Sequence, residues 1–254
     1  MPISDTPILI VNADDYGWNR PSSDAILETH RVGRLTSATV LMFMEDSERA
    51  AELALEQGLP VGLHVNLTDP FNAADVPTAI RDRHMRAIRH FGAPATVWRS
   101  RRWTYDPRAA ALTSAAVNDQ LERFRQLFGR EPTHFDGHNH VHLCPNVALA
   151  LPEGVKVRTA LGIAPPGGSM ARLLALRQRL TLRDRLTTRY FLNVTGIQEG
   201  FVEGGPASLL GLARESSVEV MVHPGFGHEY TLLMAAGWGE WTEGLRHGSY
   251  ADLG

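Results

Sequence analysis

Four short segments of this 254-residue sequence place carboxylates and imidazoles where apolar runs end. The first is Asn12-Ala13-Asp14-Asp15-Tyr16-Gly17, directly after Ile8–Val11. Adjacent carboxylates repel, so both ionise comfortably only beside a cation or hydrogen-bond donors. One of them is then suited to hold a metal while the other acts as a base. A helix cap or a solvated turn is the alternative. The second segment, Gly62–Thr68, carries His64 at the end of an apolar run. Such a histidine is either a ligand or a hydrogen-bonded core residue. The third, His134–His142, holds four of the chain's 11 histidines. In an extended chain the i, i+2, i+4 spacing puts His138, His140 and His142 on one face. Neutral imidazoles converging on one point favour a bound metal. A loop that sends them to different partners is the alternative. The fourth is Val220–Gly225, where His223 follows an apolar run and Pro224-Gly225 forces a turn. A histidine there is placed to protonate a leaving group.

These residues need a scaffold that brings four chain segments together. Ile8–Val11, Ser37–Met42 and Val61–Val65 read as buried strands, separated by helices over Pro21–Val32 and Asp46–Gln57. Gly58 follows the second helix at a natural C′ position. The pattern continues with a helix over Arg108–Phe128 and strands over Thr133–Asp136 and Val155–Arg158. A loop over Gly162–Ser169, helices over Met170–Thr188 and Pro206–Glu215, and a strand over Val218–Val222 complete it. Asn66–Pro107 reads as a helical excursion with long loops. This alternation predicts a parallel sheet in a single domain spanning residues 1–254. Ligands of such folds collect at the carboxyl ends of the strands, where all four segments fall. A mixed Asp/His shell there suits Zn²⁺, Co²⁺, Ni²⁺, Mn²⁺ or Fe²⁺, and Mg²⁺ if carboxylate and water dominate. An open coordination position lowers the pKa of bound water toward about 7. That is the chemistry of metal-assisted amide or ester hydrolysis.

Composition sets the outer limits. At 43% hydrophobic and 21% charged residues the chain can bury a sizeable core, which excludes a disordered or fibrous class. A net charge of −3 offers no broad attraction to nucleic acid or membrane. The arginine-rich stretches Arg81–Arg108 and Arg172–Arg189 read as solvated helix faces. Cys144 is the single cysteine, so an internal disulfide or a multi-thiolate metal site within the chain is excluded. No apolar run approaches the length of a membrane span, and residues 1–6 lack the features of a signal peptide. The expectation is a cytoplasmic protein.

Taken in order, five segments resemble those of the YdjC-type carbohydrate deacetylases, which include chitooligosaccharide deacetylases and a hopanoid-associated group. They are Asn12–Gly17, Thr36–Thr39, Gly62–Thr68, Pro132–His142 and His223–Gly225. The resemblance implies an α/β fold, a distorted (β/α) barrel like that of NodB-type polysaccharide deacetylases. It implies one divalent metal ion (Zn, Mg, Ni, Co or Mn) held by Asp15, His64 and His138. Asp14 would be the catalytic base and His223 the general acid. Arg158 would orient Asp14 or bind a sugar oxygen. Tyr16, Trp18, Asn66, His140 and His142 would support the site or touch substrate. The implied substrate is an acetylated amino sugar or glycoconjugate, and the implied assembly a homodimer. Tyr16-Gly17-Trp18-Asn19 stands where the family often has Phe-Gly-Leu-Ser, a change beside the site that bears on the substrate. Gly137-His138-Asn139-His140 stands for Ser-His-Gln-His and keeps both histidines. Trp18, Trp98, Trp103, Trp238 and Trp241 are candidates for stacking on a sugar face, or for ordinary packing. A hydrolase of another amide or of a phosphoester is the alternative chemistry. A non-catalytic sugar-binding protein is the alternative class, although binding alone needs neither Asp14 nor His223.

Overall fold

The computed structural model describes residues 3–4, 6–92, 103–159, 181, 185–194 and 211–254. In chain order the elements begin with strand β1 (Ile3–Ser4), β2 (Ile8–Tyr16), helix α1 (Arg20–Arg31), β3 (Ser37–Val40), α2 (Ser47–Gln57) and β4 (Val61–Val65). Helices α3 (Thr78–Phe91) and α4 (Ala110–Phe128) follow, then β5 (Phe135–Gly137), a 3₁₀ turn over His138–Leu143 and α5 (Pro145–Ala150). The chain closes with β6 (Thr187–Thr188), β7 (Tyr190–Asn193), β8 (Ser217–Val222), α6 (Gly227–Met234) and α7 (Ala236–Thr242).

Among the described residues every strand pair is parallel, in the order β5-β4-β3-β2-β8-β7, with β1 beside β6 in a second ladder. Single bridges from Phe135 to Val157 and from Lys156 to Leu186 carry the ladder onward from β5. Leu186 leads directly into β6 and β7, and β7 pairs with β8. The ladder therefore returns to its start, as in a barrel whose wall is thinned on one side. The expected strand over Val155–Arg158 is reduced to these bridges. Gly58 and Gly129 close α2 and α4 in left-handed conformation, φ 66° and 64°, the geometry that glycine adopts without steric cost. The expected loop over 162–169 and Trp98 lie outside the described residues. So does most of the expected helix over 170–188, although its last residues, Thr187–Thr188, form β6. Of the expected helix at 206–215, residues 211–215 are described and helical. No helix among the described residues is long and apolar enough to cross a membrane.

The period-two geometry of β2 divides its side chains between two environments. Leu9, Val11 and Ala13 join the large apolar core with residues of α1, α2 and α4. Ile8 and Ile10 turn the other way and pack with Tyr250 and Leu253 near the chain's end. Lys156, the single lysine, ties this end in place: Nζ donates to the carbonyls of Tyr250 (2.6 Å) and Leu253 (2.8 Å). Apolar residues thus fill one end of the interior, and Asn12 and Asp14 continue the same face of β2 toward the other.

Gly62 of β4 lies against His134. A Cβ at this position would sit 2.6 Å from the His134 carbonyl oxygen and 2.5 Å from its ring. Gly62→Ala should destabilise the chain by about 1–3 kcal/mol, the usual cost of overpacking. Thermal unfolding would show it as a midpoint lowered by several degrees.

Candidate active site

Two neighbouring residues on a strand normally face opposite sides. Asp14 and Asp15 escape this rule because β2 bulges. Its register with β3 shifts between Ala13 and Tyr16, and Asp15 is left-handed at φ 62°. A bulge re-aims a side chain where a regular ladder cannot. As a result both carboxylates approach His64: Nε2 lies 3.4 Å from Asp15 Oδ1 and 4.0 Å from Asp14 Oδ2. Left-handed backbone at a non-glycine residue costs of order 1–3 kcal/mol, and such strain gathers at functional sites.

His64 stands directly opposite Asp136 in the β4–β5 register, and its Nδ1 donates to Asp136 Oδ1 at 2.6 Å. A carboxylate can only accept, so Nδ1 carries the proton and Nε2 is the nitrogen turned to Asp15. His138 begins the turn after β5, and its Nδ1 lies 2.9 Å from the same Asp15 Oδ1. One atom each of Asp15, His64 and His138 lie within 4.8 Å of one another. Two donors about 2.1 Å from one tetrahedral ion are about 3.4 Å apart. The donor types and spacing therefore fit a divalent cation. Asp14, His64 and Asp136 form a second such cluster, but His64 Nδ1 is committed to Asp136 there and both carboxylates are engaged by Arg158.

Arg158 forms the floor beneath this group. It is fully buried and meets Asp14 through two parallel bonds of 2.6 and 2.7 Å. The same guanidinium reaches Asp136 Oδ2 and Glu219 Oε1, each at 2.8 Å. Tyr250 OH donates to the other oxygen of Glu219. Thr39 Oγ1 lies 3.0 Å from Asp136 and 3.3 Å from Asp14, with one proton to share between them. Burial alone would push the Asp14 carboxyl up, but Arg158 and His64 hold it far below the usual carboxylate range. Asp15 is likewise held low against burial by bonds to His138 and His64. Burial opposes charge on the histidines, yet the surrounding carboxylates raise His64 to about 10 and His138 to about 9. The imidazoles take up protons because this ring of negative charge demands cations.

A cavity of about 340 Å³ opens over the group, lined by Asp14, Asp15, Trp18, His138, His223 and Phe226, among others. His223 follows β8, and its Nδ1 faces Glu229 Oε2 of α6 at 3.6 Å, while its backbone N–H donates to the same oxygen. Burial disfavours the charged ring, but Glu229 and the two aspartates outweigh it and raise the His223 pKa. A larger cleft of about 570 Å³ between α2, α3 and α4 contains none of these residues. The strand-end residues Asp14, Asp15, His138 and His223 line the smaller one.

The profile of the family described as YdjC-like protein matches residues 8–243. The chain belongs to this family. The chitooligosaccharide deacetylase of Proteus mirabilis is 32% identical over 228 residues, covering 86% of this chain and 81% of that one. The carbohydrate deacetylase of Mus musculus is 33% identical over 148 residues, covering 58% of this chain and 47% of that one. Among solved structures, an Enterococcus faecalis protein named for cellobiose-phosphate cleavage superposes with TM-score 0.72 at 22% identity, covering 96% of this chain and 98% of that one. A family 4 acetyl xylan esterase from Clostridium thermocellum, solved with a cobalt ion, gives TM-score 0.50 at 10% identity, covering 97% and 89%. These likenesses establish the α/β barrel-like fold.

Within this YdjC-like chain the structure gathers Asp14, Asp15, His64, His138, His223, Trp18 and Arg158 around one cavity and its floor. It separates others from them. Asn139 and His140 are left-handed at φ 53° and 57°, so the chain turns at once after His138. The extended row of three histidines therefore does not form. His142 is buried, neither ring nitrogen has a hydrogen-bond partner among the described residues, and burial holds its pKa well below the ordinary value. His140 packs beside Phe191 at 5.9 Å. Tyr16 points into the core, where its OH donates to the Ala50 carbonyl at 2.6 Å. Asn66 is buried and shapes the loop after β4. Trp238 is core, Trp241 packs against it, and Trp103 is exposed.

Asp136, Thr39, Glu219 and Glu229 are parts of the arrangement that sequence reasoning did not single out. Asp136 lay inside the histidine motif, and its position two residues before His138 was the available signal. Glu219 sits mid-strand in an apolar run, a position where a carboxylate needs a buried partner. Replacing Arg158 by Leu leaves three carboxylates buried without their cation. Unfolding in urea should show a loss of about 3–5 kcal/mol, the cost of breaking a buried pair from one side.

Proposed function

We propose that this chain removes an N-acetyl group from an amino sugar or its conjugate, with Asp15, His64 and His138 holding one divalent cation. The coarser part of this reading, a carbohydrate deacetylase, is the class of the family to which the chain belongs. One observation carries the rest: Asp15 and His138 of a metal-fitting Asp/His/His group line one cavity together with the Asp14 carboxylate and the His223 imidazole. A divalent cation bound there would supply a polarised acyl carbonyl and an acidified water.

Asp14 is the base. Arg158 fixes its orientation and keeps it ionised, at the cost of making it a weak acceptor toward ordinary water. It suits only a water whose own pKa has been lowered. Asp14 takes that proton as oxygen attacks the acyl carbon. His223, whose pKa Glu229 raises, delivers a proton to the amide nitrogen as the C–N bond breaks. Acetate and a free amine leave. Trp18 and the exposed Phe226 wall the cavity with rings that suit the apolar face of a sugar. Its volume of about 340 Å³ is at the small end for ligand pockets and admits one sugar ring with its acyl group.

Acetate release from N-acetylglucosamine conjugates should be abolished by a chelator and restored by Zn²⁺ or Co²⁺. Asp14→Asn should lower turnover by about 10²–10⁴-fold with metal content intact, and His223→Ala by a similar factor in kcat. His64→Ala and His138→Ala should lose metal. Full metal occupancy in both histidine variants would sink the ligand assignment.

A further inference from the structure

The stretch 66–92 carries none of the strand-end histidines, yet it reaches the candidate ligand group through Asp69. The loop after β4 folds back on itself there. Asn66 Oδ1 accepts the N–H groups of Thr68 (3.1 Å) and Asp69 (3.0 Å), and Asn66 Nδ2 donates to the Asp69 carbonyl at 2.9 Å. Gln120 of α4 holds the backbone N–H and C=O of Asn66, both at 2.9 Å. His84 of α3 donates Nε2 to the Asp69 carbonyl at 2.8 Å, with its ring stacked on Phe71. Burial pushes the His84 pKa down to about 4, so it is neutral at pH 7 and its single ring proton sits on the donating nitrogen. Two helices therefore clamp one short turn.

The side chain presented by this turn is the Asp69 carboxylate. Its Oδ2 accepts from Thr68 Oγ1 (3.0 Å) and Asn139 Nδ2 (3.3 Å) and lies 3.1 Å from His138 Nε2. Nδ1 of the same ring faces Asp15. His64 shows the mirror arrangement: Nδ1 on Asp136 and Nε2 toward Asp15. Each imidazole turns one nitrogen to the centre and gives the other to a carboxylate. That pattern selects a tautomer and fixes a ring for metal binding.

We infer that Asp69 is a positioning residue for His138: it accepts the Nε2–H, leaves Nδ1 for the cation and holds the ring toward Asp15 and His64. The inference rests on the reading of Asp15, His64 and His138 as ligands. It also gives α3 and α4 a task, which is to brace the turn that carries Asp69.

The test is a competition titration of the full chain with Zn²⁺ against a chromophoric chelator, comparing wild type with Asp69→Ala, Asp69→Asn and His138→Ala. Asp69→Ala should bind metal about 10–100-fold more weakly, the usual effect of removing such a partner. Asp69→Asn keeps an oxygen to accept the Nε2–H and should recover much of the affinity. Thermal unfolding of the metal-free variants should keep one cooperative transition well above the titration temperature, which separates positioning from a folding defect. Wild-type affinity in Asp69→Ala together with loss in His138→Ala would overturn this inference alone. Wild-type affinity in His138→Ala would overturn both it and the ligand assignment.

Discussion

A single buried guanidinium organises the interior. Arg158 has no exposed surface and meets carboxylates contributed by β2, β5 and β8. An uncompensated charge at such depth is expensive, and three carboxylates around one cation leave negative charge in excess. Hydrogen bonds meet part of that excess: Tyr250 donates to Glu219, and Thr39 and Asn12 surround Asp14. The arrangement works only if the strands keep their register. The position of Asp14 is thereby tied to elements far from it in sequence, including the closing segment around Tyr250 that Lys156 pins.

The remaining negative charge is expressed one layer up. His64 links the layers, with Nδ1 on Asp136 below and Nε2 toward Asp15 above. The closed layer below is buried and paired: Asp14 and Asp136 are held ionised beside Arg158, while burial raises the Glu219 pKa. The upper layer opens to the cavity, and there the same charge is available to a cation. Similar residues in one cluster therefore meet different surroundings. Asp14 and Asp15 are neighbours in the chain and both line the cavity, but Asp14 is gripped by Arg158 while the bulge turns Asp15 to His64 and His138.

The helices outside the sheet act through loops. Glu229 of α6 meets His223, and α3 with α4 secures the turn at Asp69. His223 and Asp69 are thus both steadied by groups on helices. Pro224-Gly225 brings its loop close to α1, where a Cβ on Gly225 would lie 2.6 Å from Ser22 Oγ. That contact helps define the width of the cavity between Trp18 and Phe226.

The alternation of apolar runs and amphipathic stretches was enough to place β4, β8, α1, α2, α4 and the start of β2 within a few residues, because burial on both faces leaves a continuous apolar signal. β2 itself runs on past the expected Val11 to Tyr16, since Asn12, Asp14 and Asp15 break the apolar signal while the ladder continues. The short β7 and the helices after His223 escaped, since short segments carry too little periodicity to read. Strand ends were legible too, and with them Asp14, Asp15, His64, His138 and His223 as residues worth chemistry. Spacing alone did not separate His138 from His140 and His142. The left-handed turn at Asn139 and His140 did that, and it exists because β5 stops at Gly137. Nor did the sequence show that Asp136, Glu219 and Asp69 belong to the site. Their partners lie 72, 61 and 69 residues away in the chain, and such pairings arise only when parallel strands and their loops meet. By itself the sequence determined which residue types stand at the strand ends. Only the tertiary structure decided which imidazoles face Asp15, because a bulge in β2, a turn after β5 and the charge of Arg158 set those directions together.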